Sequence, residues 1–229
     1  MEFEGKQIKI LFEDKDLMVV EKPAGLVVTS EGRSNTVSLE KILNVDLERS
    51  GIVHRLDKNT SGMVIVAKNI ESLNNLKKQF KERTVRKKYI ALVWGGVSQE
   101  GSITMPIGRS KYVFDKFSVS EDGKKAVTNF RVLERYRFDG KNLSLLEIEI
   151  KTGRTHQIRV HMSFLKWPIV GDKVYGGMKL FGLDRQFLHA AYLRFKQPTS
   201  GETIELKSDL SKDLKSVLEK MRREVINYT

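Results

Sequence analysis

The feature of this sequence that most constrains its fold is a series of short apolar runs, rich in β-branched and aromatic residues and bounded by turn residues. Such runs occupy residues 8–12, 17–21, 63–67, 89–94 and 143–150. Helical spacing of apolar residues appears in a few places only, after Asn69, after Thr155 and after Ser208. The pattern predicts an α+β fold built on a large sheet.

The chain shows no sign of a domain boundary. It contains no internal repeat, no low-complexity tract and no linker rich in Pro, Gly and Ser. Its 229 residues, 40% of them hydrophobic, are enough for one well-buried core or two small ones, and one domain is the default. We therefore expect a single domain over residues 1–229, with a C-terminal helix at about 209–225.

The charge of the chain favours a polyanionic partner. Lys and Arg number 41 against 29 Asp and Glu, which gives a net charge of +12 and a pI near 9.7. Basic residues crowd one stretch that runs into Tyr89: Lys77, Lys78, Lys81, Arg83, Arg86, Lys87 and Lys88. This stretch is either a solvated helix face or an RNA-facing edge, where cations hold phosphates and an aromatic ring stacks on a base.

Several chemistries are excluded or disfavoured. The chain has no cysteine, so disulfides, thiolate nucleophiles and Cys-ligated metals are absent. It has no glycine-rich phosphate-binding motif, and His156 and His161 lack the spacing and the Glu of a zinc-protease helix. We therefore expect no metal and no nucleotide or organic cofactor. With no leader peptide and no apolar run near the ~20 residues of a membrane span, the expected location is the cytoplasm.

Two segments carry the residues with chemical potential. In residues 51–68, GIVHRLDKNTSGMVIVAK, one carboxylate, Asp57, lies in a basic and polar loop before a buried-looking strand. A structural role in a turn or an ion pair is the alternative for such an Asp. In residues 152–162, TGRTHQIRVHM, Arg154 and Arg159 flank the start of a helix that we expect Thr155 to cap. Helix N-termini also attract anions.

These segments, together with KKYIALVWG, PIVGDKVYG and LHAAYLRF, resemble the RluA-type family of pseudouridine synthases and occur in that family's order. The resemblance runs from about residue 8 to residue 206. It implies a long, mostly antiparallel mixed sheet flanked by helices, with the active site in a central cleft. Because the family-like pattern begins within the first dozen residues, we expect no N-terminal RNA-binding domain of the S4 type.

The resemblance also implies roles for individual residues. Asp57 matches the essential aspartate, Tyr89 the active-site tyrosine, and Arg159 the arginine that pairs with the aspartate. Arg55 matches an arginine that fills the gap left when the target base is flipped out of the RNA. The other residues expected to bind the RNA are His54, Arg154, Lys87, Lys88 and Ile158.

The implied activity is the isomerisation of specific uridines in ribosomal RNA, transfer RNA or both, by a monomer that needs no cofactor. Asp57 would either attack the sugar as a nucleophile or remove the C2′ proton. The target base would have to be extruded from its stack. Two alternatives use similar features: a non-catalytic RNA-binding protein or RNA chaperone, and a base-removing glycosidase.

Overall fold

The computed structural model describes residues 1–30, 36–111, 113 and 116–226. The chain divides into two compact units. Unit 1 comprises Met1–Lys87 and Ala190–Asp209, and unit 2 comprises Lys88–His189 and Leu210–Thr229. The expectation of a single domain stays a prediction.

The described residues form strands and helices with the following bounds. The strands are β1 (Glu2–Phe3), β2 (Lys6–Gln7), β3 (Lys9–Glu13), β4 (Leu17–Lys22), β5 (Ser61–Ala67), β6 (Arg86–Trp94), β7 (Gly101–Ile103), β8 (Ile107–Arg109), β9 (Phe117–Val119), β10 (Thr128–Phe138), β11 (Lys141–Ile150), β12 (Leu188–Lys196) and β13 (Thr203–Lys207). The α-helices are α1 (Leu39–Leu43), α2 (Ile70–Glu82), α3 (Gln157–Phe164) and α4 (Lys212–Ile226), and a 3₁₀ turn covers Glu48–Gly51.

The sheet of unit 1 has the strand order β3-β4-β5-β12, with β13 paired to β12. Strand β4 pairs antiparallel with both β3 and β5, and β13 pairs antiparallel with β12. Gly62 in β5 has a φ of +120°, and a Cβ there would lie 2.4 Å from the carbonyl oxygen of Ala190 in β12. Only glycine therefore allows the two backbones to approach this closely.

Helix α2 packs on one face of this sheet. Asn69 caps it, since the Asn69 side chain accepts a hydrogen bond from the Ser72 amide at 2.9 Å. The buried residues of α2 join apolar side chains of the strands in one core: Leu17, Val19, Met63, Ile65, Leu73, Leu76, Leu193 and Phe195. Burial of this apolar area is the main stabilising term for unit 1.

Unit 2 is built on the antiparallel order β6-β11-β10-β7. Strands β10 and β11 form a long hairpin with a β-bulge between Val132 and Glu134, and β8 pairs with β9. Helix α4 buries Leu214, Val217, Leu218 and Met221 at helical spacing. None of the helices in the described part of the chain has both the length and the apolarity to cross a membrane.

The predicted α+β class, with a mostly antiparallel sheet flanked by helices, is confirmed. The helix predicted after Asn69 begins there, whereas the C-terminal helix begins at Lys212, three residues later than expected. The predicted cap at Thr155 is wrong. Helix α3 begins after His156, which has a left-handed φ of 56°, and no side chain caps it.

The side chain of Gln157 explains the different start of α3. Its Oε1 accepts hydrogen bonds from the Arg154 amide at 3.0 Å and from the Thr152 hydroxyl at 2.7 Å. Its Nε2 donates to the Val127 carbonyl at 3.0 Å. The chain before the helix is therefore held by the first residue of α3, which a cap-based prediction does not consider.

Candidate active site

Asp57 begins a tight turn in unit 1. The Thr60 amide donates a hydrogen bond to the Asp57 carbonyl oxygen at 3.0 Å, which closes a four-residue turn of the sequence Asp-Lys-Asn-Thr. Asp57 is half-buried, Lys58 and Asn59 are exposed, and Thr60 is buried directly before β5. The turn thus places a carboxylate at the boundary between the core and the surface.

A buried lysine holds this turn from inside. Lys22, at the end of β4, is fully buried, and its ammonium donates to the carbonyl oxygens of Leu26 at 2.7 Å, Pro23 at 2.9 Å and Lys58 at 3.1 Å. The Gly25 amide donates to the same Lys58 carbonyl at 2.9 Å. These carbonyl dipoles compensate the buried charge, and the carbonyl of the residue after Asp57 is held by two donors.

Glycine marks the start of the segment that carries Asp57. Gly51 has a φ of +74°, and a Cβ there would lie 2.0 Å from the carbonyl oxygen of Ala67. Ile52 then forms a bridge with Val66 of β5. Gly62 lies at the other end, where the segment enters β5, so at both ends a side chain would clash with backbone.

His54 lies between the turn, β5 and α2. Its Nε2 accepts a hydrogen bond from the Ile65 amide at 3.0 Å, and its ring stacks on Phe80 with 4.8 Å between centroids. Burial, and secondarily the charge of Lys87, lowers the pKa of His54 to about 3. The imidazole is therefore neutral at pH 7, with its proton on Nδ1.

The basic residues near this loop differ in exposure. Arg55 is exposed, two residues before Asp57. Lys87 is partly buried, with its ammonium 5.2 Å from the centroid of the Phe80 ring, and burial lowers its pKa to about 8. Unit 1 therefore contains Asp57, His54, Arg55 and Lys87 of the residues selected from the sequence.

Unit 2 contains the selected tyrosine. Tyr89 lies on β6, where it pairs in register with Ile148 of β11, and it is only 7% exposed. The strand gives the ring a fixed direction, and burial limits the contact of the ring with water. A rigid, flat ring of this kind suits stacking on a base.

Arg159 is anchored by a carboxylate that sequence reasoning did not select. The Arg159 Nε donates to Oδ2 of Asp172 at 2.7 Å and its Nη2 donates to Oδ1 at 2.9 Å, and both side chains are buried. The guanidinium also lies 4.9 Å from the centroid of the Tyr175 ring. Asp172 lies within the PIVGDKVYG stretch, the signal in the sequence that could have identified it.

The remaining selected residues of unit 2 have mainly internal contacts. Arg154 donates through Nε to the Lys125 carbonyl at 3.2 Å, and Ile158 is buried on α3. Lys88 pairs with Glu147 at 3.0 Å, and Arg131 pairs with the same carboxylate at 2.8 Å. The pKa of Glu147 is lowered, and the largest cause is the hydrogen bond from Arg131. Burial is the second cause and acts in the opposite direction.

The two histidines of the second segment have hydrogen-bonding partners. His156 Nδ1 lies 2.9 Å from the Tyr175 hydroxyl. His161 is buried, with Nδ1 2.9 Å from the Thr128 hydroxyl and Nε2 3.0 Å from the Met105 carbonyl oxygen. Among residues 1–30, 36–111, 113 and 116–226, no three His, Asp or Glu side chains form a cluster that could hold a metal ion.

Comparison with known proteins gives a consistent set of similarities. A family model described as RNA pseudouridylate synthase matches residues 16–164. An uncharacterized RNA pseudouridine synthase of Bacillus subtilis is 41% identical over 230 residues, which cover 96% of this chain and 75% of that protein. The ribosomal large subunit pseudouridine synthase D of Nitrosomonas europaea is 40% identical over 233 residues, which cover 96% of this chain and 67% of that protein.

A solved structure shows the same fold. The structure titled human RNA Pseudouridylate Synthase Domain Containing 1 superposes with a TM-score of 0.74 at 29% sequence identity. The superposition covers 94% of this chain and 95% of the human chain. The similarity therefore extends over both units of the fold.

Proposed function

The chain belongs to the RNA pseudouridylate synthase family and is therefore an isomerase that acts on RNA, and we propose that Asp57 is the carboxylate with which it isomerises uridine. The observation that carries this proposal is the turn at Asp57. Lys22 and the Gly25 amide both donate to the carbonyl oxygen of Lys58, the next residue, so the backbone that carries the carboxylate is held by the core. A positioned carboxylate is the group that this reaction needs.

The reaction exchanges one bond to the sugar for another. The bond between uracil N1 and C1′ breaks, a bond between C5 and C1′ forms, C5 loses a proton and N1 gains one. Asp57 either attacks the sugar as a nucleophile or takes the C2′ proton, and both routes require it to be ionised. No oxidant or reductant is consumed, and in this proposal no cofactor takes part.

Tyr89 is the proposed partner of the detached uracil. Its buried ring on β6 supports a role in stacking on the base while the base rotates. Its hydroxyl is suited to assist the proton transfer from C5.

Arg159 is the proposed counter-charge of Asp57. Its bidentate pair with Asp172 fixes the direction of the guanidinium, which supports a positioning function. An arginine that offsets the cost of burying a carboxylate keeps that carboxylate ionised.

RNA is proposed to be held by Arg55, Arg154, Lys87, Lys88 and Ile158. The exposed Arg55, two residues from Asp57, is suited to enter the RNA at the position of the flipped base. Extrusion of a base costs a few kcal/mol, which phosphate contacts by basic residues can offset. Affinity for RNA should therefore fall steeply as the salt concentration rises.

The proposed substrate is ribosomal RNA of the large subunit. Several relatives at 34–40% identity are named ribosomal large subunit pseudouridine synthase D, which supports this choice over transfer RNA.

We also propose a monomer in the cytoplasm. These relatives come from bacteria, in which ribosomal RNA and the enzymes that modify it share one compartment.

The test is tritium release from RNA labelled at uracil C5. Wild type and Asp57→Asn are compared on protein-free ribosomal RNA and on transfer RNA in separate reactions. Release from ribosomal RNA that is lost in Asp57→Asn, with RNA binding retained, is the expected result. Release at the wild-type rate in Asp57→Asn would contradict the catalytic assignment, and release from transfer RNA alone would contradict the proposed substrate.

A further inference from the structure

We propose that His54 is a positioning residue, which holds the Asp57 loop (residues 52–60, between the 3₁₀ turn and β5) against β5 and α2 and does not itself contact the RNA. The sequence pattern had suggested an RNA contact for His54. The inference depends on the assignment of Asp57 as the reactive carboxylate, and it concerns how that carboxylate is held in place.

The hydrogen bond of His54 is made to the sheet. The Ile65 amide donates to Nε2 at 3.0 Å, and Ile65 is fully buried in the middle of β5. A ring nitrogen thus satisfies a backbone donor that would otherwise be buried without a partner. The loop is tied to β5 through this contact, eleven residues along the chain from His54.

The ring of His54 is also held by its flat face. It stacks on Phe80 with an angle of 23° between the planes, and the Lys87 ammonium lies over the same Phe80 ring. Phe80 belongs to the last turn of α2, and Lys87 belongs to β6. Parts of the loop, a helix and a strand therefore meet in one stack, here called the His54 stack (His54, Phe80 and Lys87).

The contact requires a neutral imidazole. Nε2 can accept a hydrogen bond only when it carries no proton, and burial together with the Lys87 charge disfavours protonation. A neutral ring carries no positive charge to attract phosphate. The chemistry of the ring therefore suits positioning better than RNA binding.

The short distance along the chain couples His54 to Asp57. Asp57 lies three positions after His54, a stretch that an extended chain spans in at most about 11 Å. A shift of the His54 ring would therefore move the Asp57 carboxylate. A displacement of about 1 Å can cost about 100-fold in rate.

The kinetic test compares three variants on ribosomal RNA. His54→Phe keeps a ring for stacking and removes the acceptor, His54→Gln keeps an acceptor, and Phe80→Leu alters the stack without changing a polar group. We expect His54→Phe to lower kcat by about 10- to 100-fold while the Kd for RNA stays within about twofold. His54→Gln should retain more of the turnover, and Phe80→Leu should lower kcat without weakening RNA binding.

A spectroscopic measurement on the wild type supplements the variants, in case His54→Phe does not fold. Long-range ¹H–¹⁵N correlation spectra report the tautomer of each imidazole. We expect His54 to carry its proton on Nδ1, to show no titration between pH 8 and pH 5, and to keep its shifts when RNA is added. Titration of His54 near pH 6.5 would overturn the proposal.

The outcomes separate this inference from the proposed function. If His54→Phe weakens RNA binding several-fold and Phe80→Leu does not, His54 contacts RNA and the inference is wrong. An inactive Asp57→Asn beside a fully active His54→Phe also overturns the inference while the role of Asp57 stands. A fully active Asp57→Asn instead contradicts the proposed function itself.

Discussion

Arg159 and Asp172 form a buried bidentate ion pair in unit 2, in which Nε–Oδ2 and Nη2–Oδ1 measure 2.7 and 2.9 Å. The Asp172 Oδ1 also lies 3.2 Å from the Val174 amide and 3.3 Å from the Tyr175 amide, both of which donate to it. This carboxylate therefore joins α3 to the chain that follows it. The position of the Arg159 guanidinium therefore depends on Asp172.

Asp172→Asn should destabilise the protein by about 3–5 kcal/mol, because it leaves the buried Arg159 charge without its partner. Urea unfolding followed by circular dichroism measures the change in the free energy of unfolding. Asp184→Asn is the matched control, since Asp184 is an exposed partner of Lys173 and Lys179 and should change stability by at most about 1 kcal/mol. Equal losses of stability in both variants would show that the Arg159–Asp172 pair stabilises the protein no more than an exposed ion pair does.

The pKa of His54, lowered to about 3, predicts a pH dependence of stability. Below about pH 6.5 the unfolded chain binds a proton at His54 and the native protein does not. The contribution of His54 to the free energy of unfolding is therefore fully present above pH 6.5 and is lost as the pH falls toward 3. The slope approaches about 1.4 kcal/mol per pH unit. Urea unfolding at pH 7, 6 and 5 measures it.

His54→Gln is the comparison for this slope, because glutamine does not titrate. His161 contributes a slope of the same sign, since burial also lowers its pKa, so the decisive quantity is the difference between wild type and His54→Gln. A variant whose slope equals that of the wild type would mean that His54 does not have the depressed pKa.

Lys87 predicts a pH dependence of RNA binding at higher pH. Burial lowers its pKa to about 8, so its ammonium loses its charge between pH 7 and pH 9. If this charge contributes to the field that attracts phosphates, the Kd for RNA rises over that range. Fluorescence anisotropy with labelled RNA at constant ionic strength measures the effect.

Lys87→Met should remove this pH dependence, and Lys78→Met, a change at an exposed lysine of α2, should keep it. The same Lys87→Met protein should show a raised pKa for His54, since one cause of its depression is gone. A Kd that varies with pH equally in all three proteins would remove Lys87 from the RNA-binding residues.

Lys22→Met should impair both stability and turnover. The substitution removes the donor shared by the Leu26, Pro23 and Lys58 carbonyls, and we expect a loss of at least about 2 kcal/mol together with a lower kcat. The control is Lys9→Met, at an exposed position of β3. Unchanged turnover in a folded Lys22→Met protein would mean that the Asp57 turn does not depend on this lysine.

Local patterns predicted the elements well where the cause of each element is local. Helix α2 is specified by apolar residues at helical spacing and by the Asn69 cap, all within a short stretch of the chain. The runs at 17–21 and 63–67 form strands because both faces of each run are apolar. Thr155 failed as a cap since Gln157 holds the preceding chain through its own side chain.

The contacts that organise the site were beyond sequence reasoning because they join distant positions. Lys22 meets the Lys58 carbonyl across 36 residues, and the stacking of His54 on Phe80 joins a loop to a helix. A lysine in an ordinary sequence is expected at the surface, so its burial could not be read from residue type. The motifs identified the loop that carries Asp57, whereas the contacts that hold this loop became visible only in the fold.

The burial of Lys22 has a consequence for how the free energy of RNA binding is used. The groups that hold the ammonium and the turn all belong to the chain itself, so the order of the Asp57 loop is a property of the folded protein. In energetic terms the loop is preorganised, and no part of the free energy of RNA binding is spent in ordering it. That free energy remains available for pulling the uridine out of its stack.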